Sequence, residues 1–263
     1  MAVPRVLSYF RNMPEIQTET IVYGAAKLTG YLAVPPGKGP FPGLVVIHEW
    51  WGLNDQIRAV TADLARTGYA ALAVDLFRGI VTANPEEARK LAMGTDSSRA
   101  ISDLQEAFQF LSRRPYVKKG KVGSVGWCFG GGYSLGLAIS QPDLAACVVY
   151  YGRLESDAAR LSKIRSPVLG FFGQDDASIP VAAVNGFEAA MKQEGRQIET
   201  HIYPGAGHAF ANPTRTDAYR PDATKDSWAR MMKFLGTTLE LWIIARRPEG
   251  QAAQGGRLRR TLP

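Results

Sequence analysis

Cysteine and histidine are both scarce in this chain of 263 residues, which has two of the first and three of the second. Two cysteines form at most one disulfide, and a chain of this length can bury enough core to fold without one. We therefore interpret both as free thiols in a reducing compartment. The histidines are not at metal-ligand spacing, so no metal site and no cofactor are expected.

Long apolar runs are also missing. No stretch reaches the ~20 residues that a membrane helix needs, and residues 1–15 lack the continuous apolar run of a secretory signal. Hydrophobic residues make up 46% and charged residues 21% of the chain, as in ordinary globular proteins. We expect a cytoplasmic protein that makes no membrane contact.

Acidic residues are outnumbered, with 24 Asp and Glu against 31 Lys and Arg and a net charge of +7. Five arginines lie in the last stretch of the chain, so the segment 242–263 is interpreted as a basic, frayed tail. Because no nucleic-acid-binding motif accompanies this charge, nucleic acid is not an expected partner. The rest, residues 1–241, is expected to be a single domain with an N-terminal extension over 1–15.

Short apolar runs alternate with helical patterns through that domain. The runs are continuously apolar, which is typical of strands buried on both faces. Strands alternating with helices predict an α/β fold with a mostly parallel sheet and helices on both faces. Residues 16–22 and 28–34 are expected to form a hairpin at the sheet edge. The predicted inner strands are 44–48, 70–75, 121–126, 145–151 and 167–173, and the predicted helices are 53–67, 96–113, 129–141, 181–193 and 224–239.

The main chemical signal is Gly-Trp-Cys-Phe-Gly-Gly at 126–131, where a strand should end and a helix begin. It matches the nucleophile-elbow pattern with cysteine in place of serine. Gly126 and Gly130 suit this turn, because side chains there would collide across it. The turn would place Cys128 at a helix N-terminus, with the Phe129 N–H as an oxyanion donor. A glycine-rich packing turn around a structural cysteine is the alternative.

The second cysteine has no such neighbours. Cys147 lies within an apolar strand and is interpreted as core.

His208 is the candidate base, because it lies in a glycine-rich loop after the last predicted strand. Such a loop can present an imidazole at the carboxyl edge of the sheet, where ligands bind in open α/β folds. His48 and His201 lie within or beside apolar strand segments instead. The alternative for His208 is a surface histidine without a catalytic role.

The orienting acid should come between nucleophile and base. Asp175 and Asp176 both follow the strand 167–173, and we expect one to cap the turn and the other to reach His208. Spacing to Pro180 favours Asp176 as the partner of the base.

Glu49 is a further carboxylate at a strand end, between a histidine and two tryptophans. Partial desolvation there would raise its pKa and suit it to proton transfer. A charge at a helix entry is the alternative, and the residues alone leave both open.

Five motifs taken together resemble the dienelactone hydrolase family, also called carboxymethylenebutenolidases, over roughly residues 16–239. They are His-Glu-Trp-Trp-Gly, Asp-Leu-Phe-Arg, Gly-x-Cys-x-Gly-Gly, Gly-x-x-Asp-x-x-x-Pro and Tyr-Pro-x-x-x-His-x-Phe. The resemblance implies an α/β-hydrolase fold and a small ester or lactone as the substrate. It also implies roles for Cys128 as nucleophile, His208 as base, Asp176 as its partner, Glu49 as an aid to thiol deprotonation, and the backbone of Trp50 as a second oxyanion donor.

The same resemblance implies substrate contacts. Arg78 corresponds to an arginine that holds a substrate carboxylate, a task suited to its forked guanidinium, with a solvated loop charge as the alternative. A second arginine is expected shortly after the catalytic histidine, but Asn212 stands there and Arg215 follows in the same loop. Further substrate contacts are predicted at Trp51, Tyr151 and Phe210.

Other functions remain open on this scaffold, since a fold does not decide a reaction. One is a non-catalytic receptor for small carboxylates, and another is a thioesterase or peptidase. The complete Cys, His and Asp set favours a hydrolase, because binding alone does not need it. We expect a monomer or a homodimer with a small-molecule ester or lactone as its partner.

Overall fold

The computed structural model describes residues 15–241, whose strands form one eight-stranded sheet. The predictions for the segment 242–263 and for residues 1–14 of the extension lie outside the described residues. The first two strands pair antiparallel at one edge, and the second is also antiparallel to its other neighbour. All later pairings are parallel. The strands are β1 Gln17–Tyr23, β2 Leu28–Val34, β3 Phe41–Ile47, β4 Ala70–Val74, β5 Val117–Trp127, β6 Ala146–Tyr150, β7 Val168–Gly173 and β8 Ile198–Tyr203, in the order β1-β2-β4-β3-β5-β6-β7-β8.

Seven helices connect or follow these strands in the described part of the chain. The five predicted helices are present within a few residues of their expected bounds, and α2 and α5 were not predicted. The helix α2 starts with a proline after Asn84, whose side chain caps it, and Ala88 is its only buried residue. Leu91 and Ala92, partly buried on the core, follow Ala88 at helical spacing. The helices are α1 Asp55–Arg66, α2 Pro85–Gly94, α3 Ser97–Ser112, α4 Phe129–Ser140, α5 Ala158–Leu161, α6 Val181–Gln193 and α7 Pro221–Thr238.

The core lies on both faces of the sheet. Val45 and Val149 belong to a cluster with residues of α3 and α6, whereas Val46 and Val148 pack on the other face with residues of α1 and α7. Successive strand residues point to opposite faces, so a strand covered on both sides is apolar at every position. This confirms the predicted fold class: an α/β-hydrolase fold with a mostly parallel sheet covered on both faces. No helix within residues 15–241 is both long enough and apolar enough to cross a bilayer.

The parallel strands bring their carboxyl ends to one edge of the sheet. Loops following β3, β5, β6, β7 and β8 therefore meet there. In open α/β sheets this edge is where ligands bind. The predicted catalytic residues lie in these loops or at the start of α4, and Arg78 lies in the loop after β4.

Candidate active site

The turn between β5 and α4 holds Cys128 in a strained backbone conformation, with φ 54° and ψ −115°. A Cβ on Gly126 would lie 2.0 Å from the carbonyl oxygen of Gly130, and one on Gly130 would lie 2.3 Å from that of Ile47. Both contacts are too close for any side chain. The steric reason predicted for the two glycines is confirmed, and Cys128 is partly exposed at the N-terminus of α4.

Asp176 and His208 form the second part of the site. The Nδ1 atom of His208 lies 2.7 Å from Oδ2 of Asp176, while Oδ1 accepts hydrogen bonds from the N–H groups of Ser178 and Ile179. One carboxylate therefore both caps the turn and contacts the base, so the predicted division of these tasks is wrong. Asp175 is exposed. Although burial favours the neutral acid, the hydrogen bond from His208 and those from the two N–H groups lower the pKa of Asp176.

His208 interacts with both groups. Burial disfavours the charged imidazole, but its hydrogen bond to Asp176 and its interactions with Cys128 raise the pKa of His208 to about 10. The side chain is still 33% exposed. Three loops thus bring together the thiol, the imidazole and the carboxylate that the sequence indicated.

Glu49 is buried beside this triad. Its Oε1 accepts a hydrogen bond from the Tyr151 hydroxyl at 3.3 Å, and its Oε2 accepts one from Nδ2 of Asn212 at 2.5 Å. Burial raises the pKa of Glu49 above its ordinary value, although these hydrogen bonds oppose the shift. The helix-entry alternative is not observed, because α1 begins at Asp55 with Asn54 as its cap.

The loop after His208 contributes Asn212, a contact that the sequence did not predict. Its Oδ1 accepts from both the N–H and the hydroxyl of Thr214, so its amide nitrogen faces Glu49. The sequence signal for this contact was the position of Asn212, four residues after His208. Arg215, the other residue considered at this place, binds Asp217 through two nitrogens and lies 5.9 Å from the Trp51 ring.

The two predicted oxyanion donors are the backbone N–H groups of Trp50 and Phe129. Within the residues that the structure describes, neither the Trp50 N–H nor the Phe129 N–H donates to an acceptor. The elbow packs closely on the loop after β3, since a Cβ on Gly130 would lie 2.5 Å from the carbonyl oxygen of His48. The two donors therefore belong to adjacent backbone segments.

Arg78 has a partner that the sequence did not reveal. Its Nη2 lies 2.8 Å from Oδ2 of the buried Asp103, while 37% of its side chain is exposed. It also lines a cleft of about 390 Å³ together with Phe77 and Lys90. The ring of Phe77 packs 5.2 Å from that of Phe129, the residue that follows Cys128.

The three aromatic residues predicted to contact substrate have different surroundings. Tyr151 and Phe210 are fully buried, with ring centroids 5.4 Å apart. Tyr151 also lies 5.2 Å from the His208 ring. Trp51 is only partly buried and packs against Trp50 at 5.0 Å. Residues 15–241 contain no group of three or more His, Cys, Asp or Glu arranged to hold a metal ion.

Comparison with known proteins identifies the family. The model of the dienelactone hydrolase family matches residues 28–239. A Synechocystis sp. protein named "Putative carboxymethylenebutenolidase" is 32% identical over 231 residues, covering 81% of this chain and 93% of the relative. A Bradyrhizobium protein named "Probable 2-oxo-3-(5-oxofuran-2-ylidene)propanoate lactonase" is 31% identical, covering 78% and 87%.

A solved structure agrees with these relatives. The crystal structure of a dienelactone hydrolase-like promiscuous phosphotriesterase from metagenomic libraries superposes with a TM-score of 0.79 at 26% identity, covering 86% of this chain and 99% of that one. The fold, the sequence identities and the family model all identify the same family. The chain belongs to the dienelactone hydrolase family and is a hydrolase of carboxylic esters or lactones.

Proposed function

We propose that the chain hydrolyses small esters or lactones through a thioester formed on Cys128. The observation that carries the proposal is the hydrogen bond between His208 and Asp176 beside Cys128, with the thiol at a strained turn. A nucleophile, a base within hydrogen-bonding reach and a carboxylate that orients the base are the parts that covalent acyl transfer needs. A relative named as a lactonase supports lactones as one substrate class.

The reaction begins when His208 takes the thiol proton and the Cys128 sulfur attacks the substrate carbonyl carbon. The carbonyl oxygen becomes negative and accepts hydrogen bonds from the Phe129 and Trp50 N–H groups. When the tetrahedral intermediate collapses, the C–O bond breaks and His208 protonates the leaving alkoxide. His208 then removes a proton from water, which attacks the thioester and releases the acid and the free thiol.

Glu49 is assigned an assisting role in thiol deprotonation. Burial raises its pKa, so it accepts a proton more readily than an exposed glutamate does. Tyr151 and Asn212 hold its two oxygens within the site.

Arg78 is proposed to hold a substrate carboxylate. Only its Nη2 has a protein partner among residues 15–241, so the other guanidinium nitrogens can bind an anion. Matched esters with and without a free carboxylate, tested on wild type and Arg78→Ala, measure this role. We expect a higher KM only for the carboxylate-bearing ester, whereas equal losses on both esters would reject the assignment.

The nucleophile is tested with an aryl ester and mass spectrometry. Wild type should show a burst of phenol and an acyl group on Cys128. The Cys128→Ala variant should lose turnover by about 10⁴-fold or more, while the matched Cys147→Ala variant retains it. Turnover retained in Cys128→Ala rejects the mechanism. Saturable carboxylate binding by wild type without acylation would instead indicate a receptor.

The choice among acyl substrates is made by profiling. Small lactones and esters are compared with acyl thioesters and short peptides under the same conditions. We expect kcat/KM to be highest for the esters or lactones, and a preference for thioesters or peptides would reassign the enzyme.

A further inference from the structure

The buried imidazole of His48 contacts the backbone on both sides of its ring. The Leu76 N–H donates to its Nε2 at 3.2 Å, and its Nδ1 lies 2.5 Å from the carbonyl oxygen of Glu49. A backbone N–H can only donate, so Nε2 accepts and the single proton is on Nδ1. His48 is therefore neutral and donates to the Glu49 carbonyl. Burial, which lowers the pKa of His48, agrees with the neutral form.

The acceptor of this hydrogen bond belongs to the peptide unit that carries a proposed oxyanion donor. The Glu49 carbonyl and the Trp50 N–H share one planar peptide and point in opposite directions. Holding the oxygen therefore sets the direction of the N–H. The Gly52 N–H donates to the same oxygen at 3.3 Å. Hydrogen bonds accepted by the carbonyl also polarise the peptide and strengthen its N–H as a donor.

The His48 ring also packs against the side chain of the residue that carries the second donor. It stacks on Phe129 with centroids 5.8 Å apart and an angle of 11°, and it meets the edge of Phe77 at 4.8 Å. Phe129 supplies the other proposed oxyanion N–H. One buried side chain thus contacts the residues or peptide units of both donors.

Resting on the proposed function, we infer that His48 is a positioning residue that aligns the Trp50 N–H for the tetrahedral intermediate. It touches neither the thiol nor the base among the contacts described above. Its effect is specific to steps in which negative charge develops on a carbonyl oxygen. Acylation by an ester is such a step, whereas alkylation of the thiol by iodoacetamide is not.

Two substitutions test the roles of the two ring nitrogens of His48 separately. Asparagine can place its amide N–H near the position of Nδ1 and keep a donor for Glu49. Glutamine reaches the position of Nε2 and keeps only the partner of Leu76. The matched control is His201→Gln, because His201 lies on β8 with Nε2 bonded to Glu199 and contacts none of these groups.

We measure the rate of acylation by an aryl ester and the rate of Cys128 alkylation by iodoacetamide in each variant. His48→Gln should slow acylation by about 100-fold, as loss of one oxyanion donor does elsewhere, and change alkylation by less than about threefold. The fall should appear in kcat rather than KM. His48→Asn should recover most of the acylation rate, and His201→Gln should match wild type.

Equal losses in acylation and alkylation, or equal behaviour of the Asn and Gln variants, would overturn the inference and leave His48 a packing residue. If the Gln variant does not fold, His48→Phe, which fills the space between the two phenylalanines, replaces it as the variant without a donor. A failure of the proposed function is distinguishable, because wild-type turnover would then survive Cys128 alkylation.

Discussion

The two cysteines have the same side chain but different surroundings. Cys128 lies at a strained turn, partly exposed and close enough to His208 to raise the pKa of that imidazole. Cys147 lies inside β6 with no exposed surface, and burial raises the pKa of its thiol to about 11 although Ser134 and Ser124 oppose the shift. The side chains are identical, so the difference between the two thiols comes from their positions. Cys128 follows the end of β5, whereas Cys147 lies within β6.

The strand register shows how far apart the two cysteines lie. In the pairing of β5 with β6, Cys147 is opposite Ser124. Ser124 precedes Cys128 by four residues, which along a strand corresponds to about 13 Å. That separation exceeds the reach of a disulfide. A few residues of strand therefore separate Cys147 in the core from Cys128 in the candidate active site.

Removing the carboxylate that orients the base should make Cys128 almost as inert as Cys147. In Asp176→Asn we expect kcat to fall by about 10⁴-fold, because a neutral amide no longer holds the productive tautomer of His208. Asp175→Asn is the control, since Asp175 is exposed and should change kcat by less than about twofold. Steady-state kinetics measure kcat for both variants. A comparable fall in kcat for Asp175→Asn would mean that Asp176 is not the orienting acid.

Native-state alkylation should distinguish the two thiols directly. We expect iodoacetamide to label Cys128 at least about 10³-fold faster than Cys147, because a thiol in a central strand reacts only after unfolding that costs ~5 kcal/mol or more. Peptide mass spectrometry gives both rates, and denaturation in urea should make them similar. Comparable rates in the native protein would contradict the comparison.

The pH dependence of stability should respond to one cysteine and not to the other. The pKa of His208 is raised from 6.5 to about 10, so its stabilising effect is complete below pH 6.5 and is lost as pH rises through about 10. Urea unfolding between pH 6.5 and 9 should show this decrease in wild type and in Cys147→Ala. In Cys128→Ala the decrease should be smaller, because one of the groups that raise the pKa is gone. If the free energy of unfolding decreases by the same amount in Cys128→Ala as in wild type, Cys128 does not affect the pKa of His208.

The two smallest expected effects are changes of opposite sign in the free energy of unfolding. Cys128→Gly should raise the free energy of unfolding by about 1 kcal/mol, because glycine relieves the strain at φ 54°. Cys147→Ala should lower it by about 1 kcal/mol, because a fully buried side chain is shortened. Urea titrations measure both, and changes of the same sign would mean that backbone strain at the elbow is not significant.

The predicted strands and the elbow were correct because their signals are local. A strand covered on both faces must be apolar along its length, and β3, β4, β6 and β7 are. The elbow needs glycines two residues before and two residues after Cys128, and the sequence shows both. By contrast, α2 was missed although Asn84 caps it and a proline begins it, which are local helix signals.

Contacts between distant residues were not predictable in the same way. Asn212 reaches Glu49 across 163 positions, and Arg78 meets Asp103 across 25. No pattern within one segment records these pairs, since they depend on which strands lie side by side. The contact of His48 with Leu76 has the same origin, because β3 and β4 are neighbours in the sheet.

The sequence by itself determined the alternation of strands and helices, the tight turn at Cys128 and the small set of side chains able to act with it. These depend on periodicity and on steric limits within a few residues. The tertiary structure alone decided that Asp176 both caps its turn and binds His208, that Glu49 is buried, and that Arg78 is paired. Burial and partner choice arise only when separate loops are brought to one edge of the sheet, so they are properties of the packed chain.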